Sequence, residues 1–357
     1  MIKIPENYYL KRLSRLRSLL DEHKLDCLLI YNAEDEDPAF LPWILGNNIF
    51  DTTYLLITKG ETMLFIPQWF TEEALNAFDK FPIKIVGTLE KAVMMPTIIP
   101  YLNELESIGY AGNAPYKEFV LLNDKKLINA ESFVAAIYEK KDEVELKIMA
   151  EVNDLTRGFL DKLDITQFVG RTEKDLAKHI RQEFSDEDYF MGHLSIVSGP
   201  RLKKTTAGFP TDYVIEQNDP VCIDFGLNSQ TYYSDITRCY FLGESSKNYD
   251  LAYKALQNFV SKTAERITEN TRSKEVASFL KEEFQKAGLI GELVMADFGH
   301  GIGTGRHEYP EVGFDESVFD IGTVFTLEPE VRLPDGTLIR YEDVFYVYKN
   351  GKTNLCK

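Results

Sequence analysis

The residues of this chain best able to do chemistry are acids and histidines set inside apolar runs. Asp224 ends the run VCID, and Asp235 lies within TYYSDITRCYFLG. An ionised carboxylate in a strand core is costly unless it is paired or bound to a cation. A hairpin turn centred between Ser229 and Gln230 places the two acids directly opposite each other, where facing Cβ atoms lie about 4.5–5.5 Å apart. Two such carboxylates repel unless cations stand between them; alternatively, one caps the turn and the other pairs with Arg238. His300 and His307 lie seven residues apart in FGHGIGTGRHEYPEVG, with glycines at 299, 301, 303 and 305. Glycines at that density let a backbone approach a site closely, so the two rings either share a pocket or serve only the fold. Glu328 ends the run VFTLE, and Glu342 sits in IRYEDVF beside Asp343. Each is either aimed at a site or is the exposed alternate residue of a strand. In chain order the set reads Asp224, Asp235, His300, Glu328 and Glu342, with gaps of 11, 65, 28 and 14 residues.

Elements must position these residues. Leu10, Leu13, Leu16, Leu19 and Leu20 recur at helical spacing and predict an amphipathic opening helix. DCLLIY is a short buried strand, TYLLIT and ETMLFIP form a hairpin around Lys59-Gly60, and IKIVG at 83–87 is another strand. The only histidine of this α/β unit, His23, lies on the polar face of the first helix and reads as solvated. After the charged KKDE run, Val144, Ile148, Val152, Leu155 and Phe159 form the apolar stripe of a long helix, which places a domain boundary near residue 140. TEKD at 172–175 has the form of a capping box. From residue 194 the chain turns β-rich, with LSIVS, VCIDFG, YYSDITRCYFLG, TVFTLEP and RYEDVFYVY as strands and a helical insertion at 249–288.

The constellation is far more specific than its parts. DFG…SDITR, GHGIG…HE, TLEP and RYED resemble, in the same order, the metal and catalytic motifs of the pita-bread metallopeptidases, the family of methionine aminopeptidase, aminopeptidase P, prolidase and creatinase. The resemblance implies an α/β creatinase-like domain over residues 1–139 and an α+β pita-bread catalytic domain over 140–357. The creatinase-like unit is absent from methionine aminopeptidases, so its presence points to the proline-directed branch. By the same resemblance Asp224, Asp235, His300, Glu328 and Glu342 match the five metal ligands, and Glu328 also matches the general base. His307 matches the second histidine, which stabilises the tetrahedral intermediate or shuttles protons, and Arg340 matches an arginine near the substrate. Thr237 and Thr326 are hydroxyls suited to orienting ligands. Physical chemistry agrees with that assignment, since four carboxylates balance two divalent cations. Carboxylates can bridge ions about 3.5–4 Å apart. An oxygen-rich set with one nitrogen suits Mn²⁺ first, with Co²⁺ or Zn²⁺ as alternatives.

One departure stands out. Prolidases and aminopeptidases P carry a histidine on the loop after the IV strand and its SG, whereas IVSGPRLKKTTAGFPTDYVIEQNDP holds none. Thr205 or Thr206 falls nearest the expected place, preceded by Lys203 and Lys204, and either lysine could reach a dipeptide's carboxylate. His193 lies before the strand, on the wrong side for a simple replacement, and reads as a loop histidine.

Composition sets the outer bounds. The 357 residues are 44% hydrophobic and 27% charged, ordinary globular usage. A net charge of −17 disfavours nucleic acid and anionic membrane as partners. Cys27, Cys222, Cys239 and Cys356 are widely spaced without a CxxC pattern, which argues against a disulfide framework or a zinc knuckle. The opening MIKIPENYYLKRL lacks the apolar core of a signal peptide, and no run is long enough to span a bilayer. These bounds point to a cytoplasmic protein, and the resemblance implies a homodimeric exopeptidase acting on short proline-containing peptides. The competing readings are a metallopeptidase without proline specificity, a creatinase-like amidinohydrolase, and a non-catalytic pita-bread protein that binds peptides or partners.

Overall fold

The computed structural model describes residues 4–32, 40–46, 52–78, 81–88, 94–185, 189–243, 246–294 and 298–356. The chain divides into two compact units, Lys3–Tyr138 and Glu139–Lys357. Among the described residues no helix is long and apolar enough to cross a membrane.

The first unit is built on β1 (Cys27–Asn32), β2 (Thr53–Thr58), β3 (Thr62–Pro67), β4 (Lys84–Thr88), β5 (Ser107–Ala111) and β6 (Lys126–Asn129), in the order β4-β3-β2-β1-β5-β6. β1 pairs antiparallel with β2 and parallel with β5. All six residues of β1 are buried, as an unbroken apolar run requires when helices cover both faces of a sheet. Leu13, Leu16, Leu19 and Leu20 of the helix Glu6–Glu22 belong to the cluster with Leu28 and Ile30, while Leu29 and Tyr31 pack with Met94, Ile98 and Leu102 of the helix Met94–Leu102. Leu10 is left exposed. His23 is not simply solvated: it ends the first helix and stacks on Phe133, with ring centroids 3.6 Å apart.

The second unit opens with the helix Glu143–Leu160, started by a capping box in which Asp142 accepts from the backbone of Val144 and Glu145. Its buried face runs through Glu145, Ile148, Met149, Val152, Asn153, Thr156 and Leu160, so Val144, Leu155 and Phe159 of the expected stripe sit at its margins. The rotation has a cause: Glu145 accepts from Tyr232, and Thr156 shares a hydrogen bond with Ser234, both buried. Among the described residues twelve strands follow. β7 (Phe190–Ser198), β8 (Pro220–Ser229), β9 (Tyr232–Tyr233) and β10 (Ile236–Phe241) form one sheet in the order β10-β8-β7, with β9 on β8. β11 (Glu292–Val294), β12 (His300–Gly301), β13 (Glu308–Glu311), β14 (Val324–Leu327), β15 (Glu330–Arg332), β16 (Leu338–Arg340), β17 (Asp343–Val347) and β18 (Thr353–Leu355) form two more, ordered β11-β15-β16 and β13-β12-β14-β17-β18. The helices Ser246–Arg266 and Ser273–Ala287 occupy the expected insertion. Leu256, Phe259, Val260, Val276 and Leu280 from them pack with Phe298, Phe325, Leu327 and Val347 from the strands. An α/β unit followed by an α+β unit is the expected fold class.

TEKD does form the predicted box, with Thr172 accepting from Asp175 at the start of the helix Glu173–Glu183. The second residue of the box has a further role. Glu173 is fully buried and accepts from the backbone and hydroxyl groups of both Ser198 and Thr211 while pairing with Arg201. One carboxylate thus ties down both ends of the loop after β7. Glu173→Ala should lower the stability of this unit by at least about 3 kcal/mol, since it leaves several buried donors and Arg201 without a partner. Urea unfolding of the variant beside the parent protein checks this, and a loss under 1 kcal/mol would contradict it.

Candidate metal centre

The hairpin joining β8 to β10 sets the first two acids. Gln230 and Thr231 both have positive φ, 49° and 74°, and Asn228 pairs with Tyr233 and Ser229 with Tyr232. The turn is therefore centred between Gln230 and Thr231, one residue later than expected, and Thr237 rather than Asp235 faces Asp224. A shift of two in the pairing keeps side chains on the same face. Asp235 accordingly remains beside Asp224 as a diagonal neighbour. A two-residue turn with both φ values positive normally announces itself as Asn-Gly or Asp-Gly; Gln-Thr gives no such signal.

His300 opens β12, whose close packing relies on Gly299. That glycine has φ 133°, and a Cβ there would stand 2.2 Å from the Thr326 carbonyl oxygen. The Thr326 hydroxyl accepts from the His300 amide at 3.1 Å. His300 Nδ1 lies 2.9 Å from the Gly301 carbonyl, which can only accept, so Nδ1 carries a proton and Nε2 is the nitrogen available to bind a cation. Nε2 points at acids, 3.7 Å from Asp235 Oδ2 and 3.4 Å from Glu328 Oε1. The His307 ring lies 4.2 Å from that of His300, centroid to centroid, on an exposed residue at the rim.

Glu328 follows β14 directly, held by its amide on the Phe298 carbonyl. Arg340 Nη1 lies 3.0 Å from Glu328 Oε2 and 4.0 Å from Asp224 Oδ2. Burial opposes the charge of Arg340, but Glu328, Asp224 and Glu342 outweigh it and raise its pKa above the usual guanidinium value. Glu342 lies between β16 and β17. Its Oε2 accepts from the Thr237 hydroxyl at 2.7 Å, and its Oε1 is buried with no hydrogen-bond partner. Burial pushes the Glu342 carboxyl well above the ordinary carboxylate range, and the charges of Asp235, Glu328 and Asp224 push it the same way. Burial acts likewise on Asp235, but His193, His300 and His307 outweigh it and hold that carboxyl low. The neighbouring Asp343 faces elsewhere: it pairs with Arg157 and Arg238. Arg238 also pairs with Asp161, so it does not neutralise Asp224 or Asp235 as the simpler reading allowed.

All eight positions singled out by type and spacing in this unit, Asp343 among them, are thereby placed. Asp224, Asp235, His300, Glu328, Glu342 and Arg340 converge, His307 stands at the edge, and Asp343 belongs to a structural ion-pair network. Two residues escaped sequence reasoning. His193 is not in a loop: it lies within β7 and its Nε2 is 2.7 Å from Asp224 Oδ1 and 2.9 Å from Asp235 Oδ1. Burial disfavours its protonation, yet the two aspartates raise its pKa to about 10. The apolar residues that flank it in FMGHLSIVS, which extend the strand back to Phe190, were the available signal. Glu330, two residues after Glu328 and on the same face of the chain, bridges the loop to the centre. It accepts from Thr206, the buried residue nearest the missing histidine, and lies 3.8 Å from Arg340 Nη2. Lys203 and Lys204 are exposed.

The donor set fits divalent cations. Asp235, His300 and Glu342 offer ligand atoms within 4.8 Å of one another, and so do His193, Asp224 and Asp235. Asp235 is common to both groups. A cation at this point would meet the unpartnered Oε1 of Glu342 and relieve the mutual repulsion of four acids.

The comparisons agree. The profile of metallopeptidase family M24 matches residues 147–349. An Xaa-Pro dipeptidase of Pyrococcus horikoshii is 25% identical, over 97% of each chain. The solved structure of an Xaa-Pro dipeptidase from Bacillus anthracis superposes with a TM-score of 0.82 at 21% identity, covering 98% of this chain and 97% of that one. An X-Pro aminopeptidase from Thermotoga maritima superposes with a TM-score of 0.81 at 22% identity, covering 97% of each.

Thr237 is fully buried and has one evident task, orienting Glu342. Thr237→Val keeps its shape and removes the hydroxyl, and it should weaken divalent-metal binding about 10–100-fold. Competition against a chelator measures the affinity; an unchanged value would show that the hydroxyl does not support the centre.

Proposed function

Because the chain belongs to metallopeptidase family M24, we propose that it is an exopeptidase that hydrolyses Xaa-Pro peptide bonds with the help of two divalent cations. The observation that carries this reading is the convergence of Asp224, Asp235, His300, Glu328 and Glu342, with Asp235 shared between two groups of donor atoms. These five residues would hold the ions, Mn²⁺ first among the candidates. Bound there, divalent ions act as Lewis acids that polarise the scissile carbonyl and acidify water.

The remaining chemistry belongs to the side chains. Glu328, whose Oε2 is steadied by Arg340, accepts the proton of the attacking water. Arg340 orients that carboxylate. His307, exposed at the rim beside His300, stabilises the tetrahedral intermediate or passes a proton to the departing proline nitrogen. Glu173, through Ser198 and Thr211, holds the loop after β7, and Thr206 on that loop is anchored by Glu330. Specificity for proline and for short substrates is supported by relatives named Xaa-Pro dipeptidase and X-Pro aminopeptidase. A homodimeric assembly is part of the same reading, by resemblance to the family.

The first test is a panel of Xaa-Pro dipeptides, Xaa-Pro-Yaa tripeptides and non-proline dipeptides, assayed with Mn²⁺, Co²⁺ and Zn²⁺. Xaa-Pro dipeptides should be cleaved, with KM raised by the missing loop histidine. Preference for tripeptides would move the enzyme to the aminopeptidase P side, and equal cleavage of non-proline dipeptides would sink proline specificity. Asp235→Asn removes one of four balancing charges and should bind the second ion far more weakly; both ions retained with full turnover would overturn the ligand set. His307→Ala should lower kcat about 10²–10⁴-fold with metal content intact. Loss of metal in that variant would make His307 a ligand instead.

A further inference from the structure

Two imidazoles of the unit, His179 and His193, serve neither the five-residue set nor the peptide chemistry. His179 lies in the helix Glu173–Glu183 against Phe168, whereas His193 points at the acids. It lies on β7 opposite Gly226 of β8. The Ser234 amide bonds the Leu227 carbonyl, so continuing the β8–β10 register sets Asp235 beside Gly226 on the other side. Three adjacent strands thus present His193, Gly226 and Asp235 in one row, with Asp224 a diagonal neighbour. The middle position must be glycine: a Cβ on Gly226 would stand 2.4 Å from His193 Cε1 and 2.7 Å from its Nδ1. The ring therefore lies across the strand in the space a side chain would fill. Its Nδ1 is buried without a hydrogen-bond partner, and the acceptors its Nε2 meets are Asp224 Oδ1 and Asp235 Oδ1.

We propose that His193 is an additional nitrogen ligand at the Asp224–Asp235 end of the metal centre. This rests on the dinuclear reading above and goes beyond it in ligand number and metal preference. Ligation displaces to solvent the proton that Nε2 shares with Asp224 and Asp235 in the metal-free protein. The neutral imidazole then adds a donor without adding charge, so the balance between four carboxylates and two divalent ions is kept. It also converts an all-oxygen position into a mixed one. Nitrogen donors favour Co²⁺ and Zn²⁺ over Mn²⁺ more strongly than carboxylates do, so this position should discriminate among those ions where an all-carboxylate one would not.

The decisive measurement is X-ray absorption of the full-length protein loaded with two equivalents of Zn²⁺. The imidazole scattering should correspond to two rings per pair of ions, His193 and His300; one ring would overturn the proposal. Calorimetric titration of the metal-free protein supplies the second arm. His193→Gln should weaken one of two Zn²⁺ or Co²⁺ sites by at least about tenfold, with a smaller loss for Mn²⁺. Unchanged or tighter binding would overturn the proposal, since the ring would then be indifferent to the ion or in competition with it. Parent protein that binds fewer than two ions would instead count against the dinuclear reading, so the two failures are distinguishable. Circular dichroism of the metal-free variant verifies that it is folded, and the absorption measurement needs no variant at all.

Discussion

Four carboxylates brought to one point of a folded chain repel one another, and the architecture of the second unit is organised around that repulsion. Glu342 is almost completely buried and Asp235 nearly so, in surroundings where an uncompensated charge costs several kcal/mol. Compensation from within the chain is incomplete. Arg340 reaches Glu328, imidazoles reach Asp224 and Asp235, and Oε1 of Glu342 meets nothing. A fold that spent stability on such a cluster without a cation to offset it would gain nothing in return, which is why the donor set and the membership of a metallopeptidase family are mutually consistent.

Separating this cluster from the structural ion pairs beneath it is a matter of strand alternation. Glu342 and Asp343 are adjacent, so their side chains leave the backbone in opposite directions. One enters the centre, and the other joins Arg157, Arg238 and Tyr341. Thr237 and Arg238 repeat the division on β10, the hydroxyl reaching Glu342 and the guanidinium reaching Asp161 and Asp343. Two pairs of neighbours thus keep a reactive face and a structural face apart, and a slip of one residue on either strand would exchange them.

The loop after β7 shows how the rest of the unit attaches to that face. Glu173 begins a helix and closes the loop, while Glu330, the first residue of β15, links Thr206 to Arg340. Where the family resemblance leads one to expect a histidine, this chain has a buried threonine anchored by an acid, and the imidazole that reaches the acids besides that of His300 comes from β7.

Much of this was readable from sequence because it is local. Apolar runs of period two, a capping box, glycine-dense turns and acids ending strands are short-range patterns. They carried the α/β character of the first unit, the β-rich run with its helical insertion in the second and the order of the acids along the chain, while the α+β class came with the family resemblance. Tertiary structure decided what local patterns leave open. The β8–β10 register depends on backbone dihedrals at Gln230 and Thr231, residues with no turn signature, and it moved the partner of Asp224 from Asp235 to Thr237. The buried face of the helix Glu143–Leu160 turned toward Tyr232 and Ser234, partners that lie dozens of residues away. His193 looked ordinary because nothing beside it in sequence is reactive; its neighbours in space come from the two strands on its flank, and only the missing Cβ of Gly226 lets them meet. Sequence determines which groups are available and which face of its own element each occupies. Which faces meet is set by turn dihedrals and packing between segments far apart in the chain, and that is fixed only when the sheets assemble.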